Sequence, residues 1–282
     1  MTIERHRIGD IEVTVLEDGF QHAPNTLFPD HDMDRARAAA AQAGVAYDGA
    51  QSLIPIRGFL LRGRGFTAVV DAGSPPGHAP TTGAFPAALA EAGVAPEEVT
   101  HLVMTHLHID HVGGIVDAEG RAVFANAELV SGAGEWDHFT SPEVEARLQG
   151  RRRALDSFLF SKCAVTPYAE RRRDVAGEAE VLPGVGLVPL PGHTPGHSGV
   201  HVSSGGEELL IWGDTIHCET FQMAEPDWGV LFDIDPDMAR ASRRRIFDRV
   251  ATDGITVTGP HVRGPGLRKV ERMAQGYRLV PA

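Results

Sequence analysis

Cysteine is scarce in this 282-residue chain: Cys163 and Cys218 are the only two. That is too few for a disulfide framework, and packing is the role expected of both. Positive charge is in deficit as well. Lys and Arg number 26 against 38 Asp and Glu, a formal charge of -12, so the surface offers little to a phosphate backbone and no nucleic-acid partner is expected. No apolar run is long enough to cross a bilayer, and Met1 to Arg7 has no apolar stretch of the secretory kind. No membrane partner is expected, and the expected location is cytoplasmic. Gly/Ser linkers, low-complexity tracts and short-period repeats are also missing, so residues 1–282 read as a single unit in which 20–55 form an N-terminal loop and helix extension.

What is present is an ordinary globular balance, 42% hydrophobic and 23% charged, enough for a substantial core. Residues 11–16 alternate β-branched and polar side chains and stop at Asp18-Gly19, the pattern of a half-buried strand and a turn. Residues 34–43 favour helix and stop at Gly44. Short apolar runs at 56–61 and 66–70 flank Arg62-Gly63-Arg64-Gly65 and predict a hairpin. A helix is expected over 82–94, and strands over 100–104, 127–130, 185–190, 199–202, 209–212 and 255–258. Residues 123–124 are a further strand candidate. The clearest late helix runs over 236–252, with Asp235 as N-cap, Pro236 in the first turn and Gly254 as the stop. Three arginine runs, 151–153, 171–173 and 243–245, read as solvated helix faces. Strands and helices alternate in both halves, which implies a mixed α/β architecture.

The chemistry concentrates in Thr105-His106-Leu107-His108-Ile109-Asp110-His111. In an extended segment His106, His108 and Asp110 point to one side, with His111 at the turn before Gly113-Gly114. Imidazole and carboxylate are the usual ligands of a zinc-like ion. Three histidines and an aspartate within six positions exceed what one four-coordinate site takes from one loop, which points to two metals. His193 in Pro191-Gly192-His193-Thr194-Pro195-Gly196-His197, Asp214 after 209–213, and His261 after 255–260 each follow a strand candidate and can converge on the same place.

With these residues in view, the chain resembles the metallo-β-lactamase superfamily, whose pattern is H-x-H-x-D-H, then Gly-His-Thr, an aspartate and a final histidine. Asp71-Ala72-Gly73 is similar to the family's early Asp-x-Gly turn. The resemblance implies an αββα four-layer sandwich. It also implies that His106, His108 and His193 hold a first metal, that Asp110, His111 and His261 hold a second, and that Asp214 bridges the two. His197 falls outside that set. The ions implied are two divalent metals, zinc before iron, manganese or cobalt.

Asp214-Thr215-Ile216-His217 and Gly259-Pro260-His261 look closest to N-acyl homoserine lactonases and methyl parathion hydrolase-like enzymes. The expected activity is therefore lactone or ester hydrolysis by a hydroxide shared between the two ions. Asp110 and Asp214 would move protons, and His217 would stand where well-studied lactonases have a tyrosine and donate to the developing oxyanion. Phosphotriester hydrolysis is the near alternative. The rival from another class resembles persulfide dioxygenases, with one iron on His106, His193 and Asp214. The expected partner is a small-molecule substrate, with a homodimer compatible with the family. Phe221, Met223 and Trp228 are read either as lining an apolar substrate pocket or as core, and Cys218 as a packed thiol rather than a ligand.

Overall fold

The computed structural model describes residues 3–264 and 266–282. The first sheet has seven strands in chain order: β1 (Glu4–Ile8), β2 (Ile11–Pro24), β3 (Gln51–Gly63), β4 (Phe66–Val70), β5 (His101–Val103), β6 (Glu128–Gly132) and β7 (Arg172–Val175). β1 to β4 are antiparallel, and β4 to β7 run parallel. The second sheet is built from β8 (Ala179–Leu182), β9 (Val185–Pro189), β10 (Ser198–Ser204), β11 (Glu207–Ile211), β12 (Thr256–Thr258), β13 (Arg268–Arg272) and β14 (Tyr277–Pro281), again in chain order. Only β11 and β12 pair in parallel there.

The period of two in the strands explains the layering. In β3 and β4, Phe59, Leu61, Ala68 and Val70 face Val185, Leu187, Val200, Leu209 and Ile211 of the other sheet. Leu60 and Val69 point the opposite way, into the core that also holds the buried faces of α2 (Phe85–Glu91) and α6 (Arg152–Val165). On the far side, Val188, Leu210 and Val257 pack against Ile246, Phe247 and Val250 of α8 (Pro236–Asp253). Two sheets with a helical layer outside each make the αββα sandwich expected from the resemblance.

Several boundaries differ from the sequence reading. β2 does not stop at Asp18-Gly19. It bulges between Glu17 and Gly19 and continues to Pro24, because Asp18 turns inward and accepts hydrogen bonds from the backbone N–H groups of Ser74, Gly83 and Phe85. The extension over 20–55 is therefore partly sheet. Its ends pair as the connected end of the β2–β3 hairpin, and α1 (Met33–Ala43), capped by Asp32, lies in the connection between them. Residues 82–94 give a shorter helix, and 123–124 form no strand, only a bridge between Val116 and Ala122 nearby.

One of the three arginine runs does not lie on a solvated helix face, and a second does so only in part, since Arg244 and Arg245 are exposed on their helix and Arg243 is not. Residues 171–173 lead into β7, where Arg172 lies over the Trp136 ring and Arg173 pairs with Glu128. Arg243 is buried, because the inward stripe of α8 is Ala239, Ser242, Arg243, Ile246, Phe247 and Val250. Its guanidinium donates to the carbonyl oxygens of Thr215, Pro226 and Trp228. Cys163 is exposed rather than packed, while Cys218 is buried, and burial pushes its thiol up. Among the described residues no helix is long and apolar enough to cross a membrane.

Candidate metal centre

Strand ends supply the site. β4 delivers Asp71, β5 delivers Thr105 to His111, the β9–β10 connection carries His193 and His197, and β11 and β12 lead to Asp214 and His261. The chain stays extended through His108 and then coils into α3 (Ile109–Val112). Strand alternation thus orients His106 and His108, whereas a helical turn presents Asp110 and His111. This corrects the expectation that Asp110 continues the extended pattern.

The fold gathers His106, His108, His193 and Asp214 into one group and Asp110, His111 and His261 into another. Asp214 stands between them. Its Oδ2 lies 3.6 Å from His106 Nε2 and 3.3 Å from His193 Nε2, while its Oδ1 lies 3.1 Å from His111 Nε2 and 3.2 Å from His261 Nε2. Asp110 approaches His111 Nε2 at 3.8 Å and His261 Nε2 at 3.7 Å. His217 places Nε2 2.9 Å from Asp214 Oδ2 and forms a further group with Asp214 and His261.

The outer ring of hydrogen bonds fixes which nitrogens carry protons. His111 donates from Nδ1 to Asp71 at 2.9 Å, His193 from Nδ1 to Asp233 at 2.8 Å, and His261 from Nδ1 to the Pro55 carbonyl at 2.7 Å. The Thr105 hydroxyl donates to Asp71 at 2.7 Å and so can accept from His106 Nδ1 at 3.2 Å. In the neutral rings the Nε2 atoms of these four histidines are left as bare lone pairs aimed at one another. His108 adds Nδ1, 2.9 Å from both His106 Nε2 and His193 Nε2, where one proton at most can satisfy one contact. Buried His111 Nε2, His261 Nε2 and Asp214 Oδ1 have no hydrogen-bond partner. Converging lone pairs without protons fit cations placed between them.

Electrostatics agrees. Burial, reinforced by neighbouring histidines, holds His106 and His108 well below the usual range, so both are neutral donors. Burial opposes charge on Asp214, but His111 and His261 outweigh it and keep the carboxylate ionised. Burial also opposes charge on His193, yet Asp214 and Asp233 push that ring up to about 9. The cluster calls for positive charge at its centre.

A model of the metallo-β-lactamase superfamily matches residues 55–255. This chain belongs to the metallo-β-lactamase superfamily. Among its superfamily relatives, an N-acyl homoserine lactonase of Bacillus thuringiensis is 27% identical over 160 residues, 56% of this chain and 54% of the relative. A "probable metallo-hydrolase" of Mycobacterium tuberculosis is 32% identical over 130 residues, 44% of this chain and 39% of the relative. The chain thus spans about half the length of the curated lactonases it matches. Among solved superfamily structures, the hydrolase AbOPH superposes with a TM-score of 0.90 at 27% identity, covering 99% of this chain and 97% of that one. AidC, a dizinc quorum-quenching lactonase in complex with its product, gives the same TM-score of 0.90 and the same coverage of 99% and 97% at 24% identity, a likeness of fold. The His/Asp cluster at the strand ends is compatible with the metal binding implied by that membership.

Three supporting groups were not singled out from the sequence. Asp233, just ahead of α8, orients His193, and that ring holds its carboxyl down to about 2 although burial opposes the charge. Glu135 receives backbone N–H groups from two ligand loops. Arg243 anchors the Asp214 loop. None has a local motif, though the spacing of Arg243 from Ala239, Ile246 and Phe247 marks the inward stripe. His197, left out of the ligand set, uses both nitrogens elsewhere: Nδ1 donates to Leu190 O at 2.8 Å and Nε2 accepts from the Asp214 N–H at 2.9 Å.

Met223, Trp228 and Phe221 are all core residues, and Phe221 of α7 (Glu219–Ala224) also lines a cavity of about 460 Å³ together with Tyr47, Ser52, Cys218, Thr220 and Arg263. Residues 45–53 of the extension supply much of its wall.

Proposed function

We propose that this protein is a two-metal hydrolase of lactones or esters, with zinc as the expected ion. The observation that carries the reading is the arrangement around Asp214, whose two oxygens address two separate groups of imidazole nitrogens. His106, His108 and His193 would hold one ion, Asp110, His111 and His261 the other, and Asp214 both. Bound there, the ions would supply Lewis-acid polarisation of a carbonyl and a water acidified towards neutral pH.

The chain's own residues supply position and proton traffic. Asp71, Asp233 and the Pro55 carbonyl lock three rings by their Nδ1–H groups, so no reorganisation of these ligands is needed during the reaction. Asp110 has 16% of its side chain exposed, more than Asp214, and is the carboxylate best placed to return a proton to the leaving alkoxide. His217 is kept neutral by burial, and its Nδ1 is buried without a partner. A neutral ring carries one proton: on Nε2 it serves Asp214 at 2.9 Å and leaves Nδ1 an acceptor, so we assign His217 the hydrogen bond to the substrate oxygen only in the tautomer with the proton on Nδ1.

The substrate class is supported by the kinship with the Bacillus thuringiensis lactonase and by the rim of the site. Asp233 is fixed on His193, yet its neighbours Leu231, Phe232 and Ile234 are 61%, 49% and 46% exposed. The Phe232 ring is 6.1 Å from that of His217. Large apolar side chains held out beside the reacting centre suit a substrate with an apolar acyl or alkyl group.

Metal analysis followed by a panel of acyl lactones and aryl esters tests the reading. About two metals per chain and ring opening are expected, and Asp110→Ala should lose one metal and most turnover. Inactivity on the whole panel after zinc reconstitution would refute the activity. One iron per chain with thiol-dependent oxygen uptake would replace it with an oxidoreductase.

A further inference from the structure

Glu135 opens α4 (Glu135–Thr140) as a fully buried carboxylate, and its oxygens are met by backbone N–H groups and the Thr194 side chain rather than by Lys or Arg. Its Oε2 accepts the Leu107 N–H at 3.1 Å and its Oε1 the Gly196 N–H at 2.8 Å. Leu107 lies between His106 and His108, and Gly196 is in the loop of His193. One side chain therefore ties together two loops that belong to different sheets. The backbones around it are pressed together. A Cβ on Gly132 would stand 2.0 Å from the Gly196 carbonyl oxygen, and a Cβ on Gly196 would stand 2.6 Å from those of Gly132 and Ala133 and 2.9 Å from Glu135 Cγ. Only glycine at both positions permits this approach.

An apolar side chain would fill such a space at lower desolvation cost. Burial pushes the Glu135 carboxyl up to about 7 in spite of the N–H groups it accepts. A carboxylate there has a use that an apolar group lacks: two acceptor oxygens at a fixed separation.

We propose that Glu135 is a positioning residue that sets the separation of the His106–His108 loop from the His193 loop and so preforms the first metal group. The proposal rests on the reading of those three histidines as ligands. Without the clamp, nitrogens meeting at 2.9 Å would spread apart, and the entering ion would have to draw the loops together. Glu135→Gln keeps the volume but offers one carbonyl oxygen and an NH2, which opposes one of the two N–H donors.

Zinc is titrated into chelator-treated protein against a competing chromophoric chelator, for the wild type, E135Q, D110A and D110A/E135Q. Loss of an outer positioning contact costs about 10–100-fold in metal affinity. That loss is expected for E135Q and again in the D110A background, where the second group is disabled. In a His108→Ala background, where the first group is disabled, E135Q should change little. Val144→Ala, a buried change in the neighbouring α5 (Pro142–Arg147), should lower the unfolding midpoint and leave zinc affinity alone. Equal affinity in E135Q and wild type, or an equal loss from E135Q in the D110A and His108→Ala backgrounds, overturns the proposal.

Should E135Q not fold, amide exchange in the chelator-treated wild type decides. Leu107 and Gly196 amides exchanging as slowly as those of β5 support the clamp, and exchange as fast as at the exposed turn residue Arg64 refutes it. A wild type that binds no zinc would instead sink the ligand reading, and the amide measurement would still judge the clamp.

Discussion

Asp71 is the most informative residue to perturb, because one carboxylate combines a backbone constraint, two loop contacts and the proton state of a ligand. Its Oδ1 accepts the Thr105 N–H at 2.9 Å, and its Oδ2 accepts the Thr105 hydroxyl at 2.7 Å and His111 Nδ1–H at 2.9 Å. Its φ is 52°, the one positive value among the described non-glycine residues. In Asp71→Ala the hydroxyl can rotate, but two buried N–H donors lose their partner at about 1–3 kcal/mol each. The left-handed backbone adds about 1–2 kcal/mol for alanine.

D71A should therefore lie roughly 3–8 kcal/mol below the wild type. D71G escapes the backbone term and should be more stable than D71A by about 1 kcal/mol, the reverse of the ordinary order. Asp71→Asn tolerates the backbone and satisfies all but about one donor. It satisfies His111 best by giving it an N–H, which moves the ring proton to Nε2 and removes the lone pair aimed at the centre. D71N should thus cost little stability and about 10–100-fold in affinity for one zinc.

Urea midpoints on chelator-treated protein measure the first part, since bound zinc would add its own stabilisation, and chelator competition measures the second. D71A within 1 kcal/mol of wild type, alanine more stable than glycine, or unchanged zinc affinity in D71N would each refute the reasoning.

Three further outcomes are expected. His197→Ala should keep its metal content, because neither ring nitrogen faces the centre. It should still lose about 2–4 kcal/mol, since the Asp214 N–H and the Leu190 carbonyl are stranded beside a cavity, as urea melts and metal analysis would show. Phe232→Ala should raise KM for long acyl substrates and lower kcat/KM by roughly 10-fold, with kcat nearly unchanged, in a chain-length series. Burial pushes the Tyr168 phenol up to about 12, where it donates to the Ile115 carbonyl at 2.7 Å. A raised phenol contributes stability that is complete below pH 10 and lost as pH rises through 12, about 2–3 kcal/mol, so urea midpoints should fall across that window in the wild type and not in Tyr168→Phe.

Much of the site was legible because its chemistry is local in the chain. The run from His106 to His111 has no economical reading except metal binding, and His193, Asp214 and His261 follow apolar runs that did become strands. The strands at 56–61, 66–70 and 209–212 were legible from their apolar runs, whereas their stacking into layers was expected from the resemblance alone. Polar residues misled where burial depends on distant partners. Arg243 resembles Arg244 and Arg245 in sequence and differs only in facing three backbone carbonyls. β13 and β14 lack an apolar signature because their burial is slight.

By itself the sequence determined the candidate ligand types, their order and a mixed α/β architecture, since these follow from side-chain chemistry and from periodicity along the chain, while the four-layer fold was an expectation from the resemblance. Tertiary structure decided which nitrogen of each histidine is bare, which oxygen of Asp214 meets which group, and which carboxylates stand behind the ligands. Those depend on directions and on contacts between segments as far apart as Asp71 and His111, Asp233 and His193, or Glu135 and Gly196. A hydrogen bond is a matter of angstroms, and a sequence carries no distances.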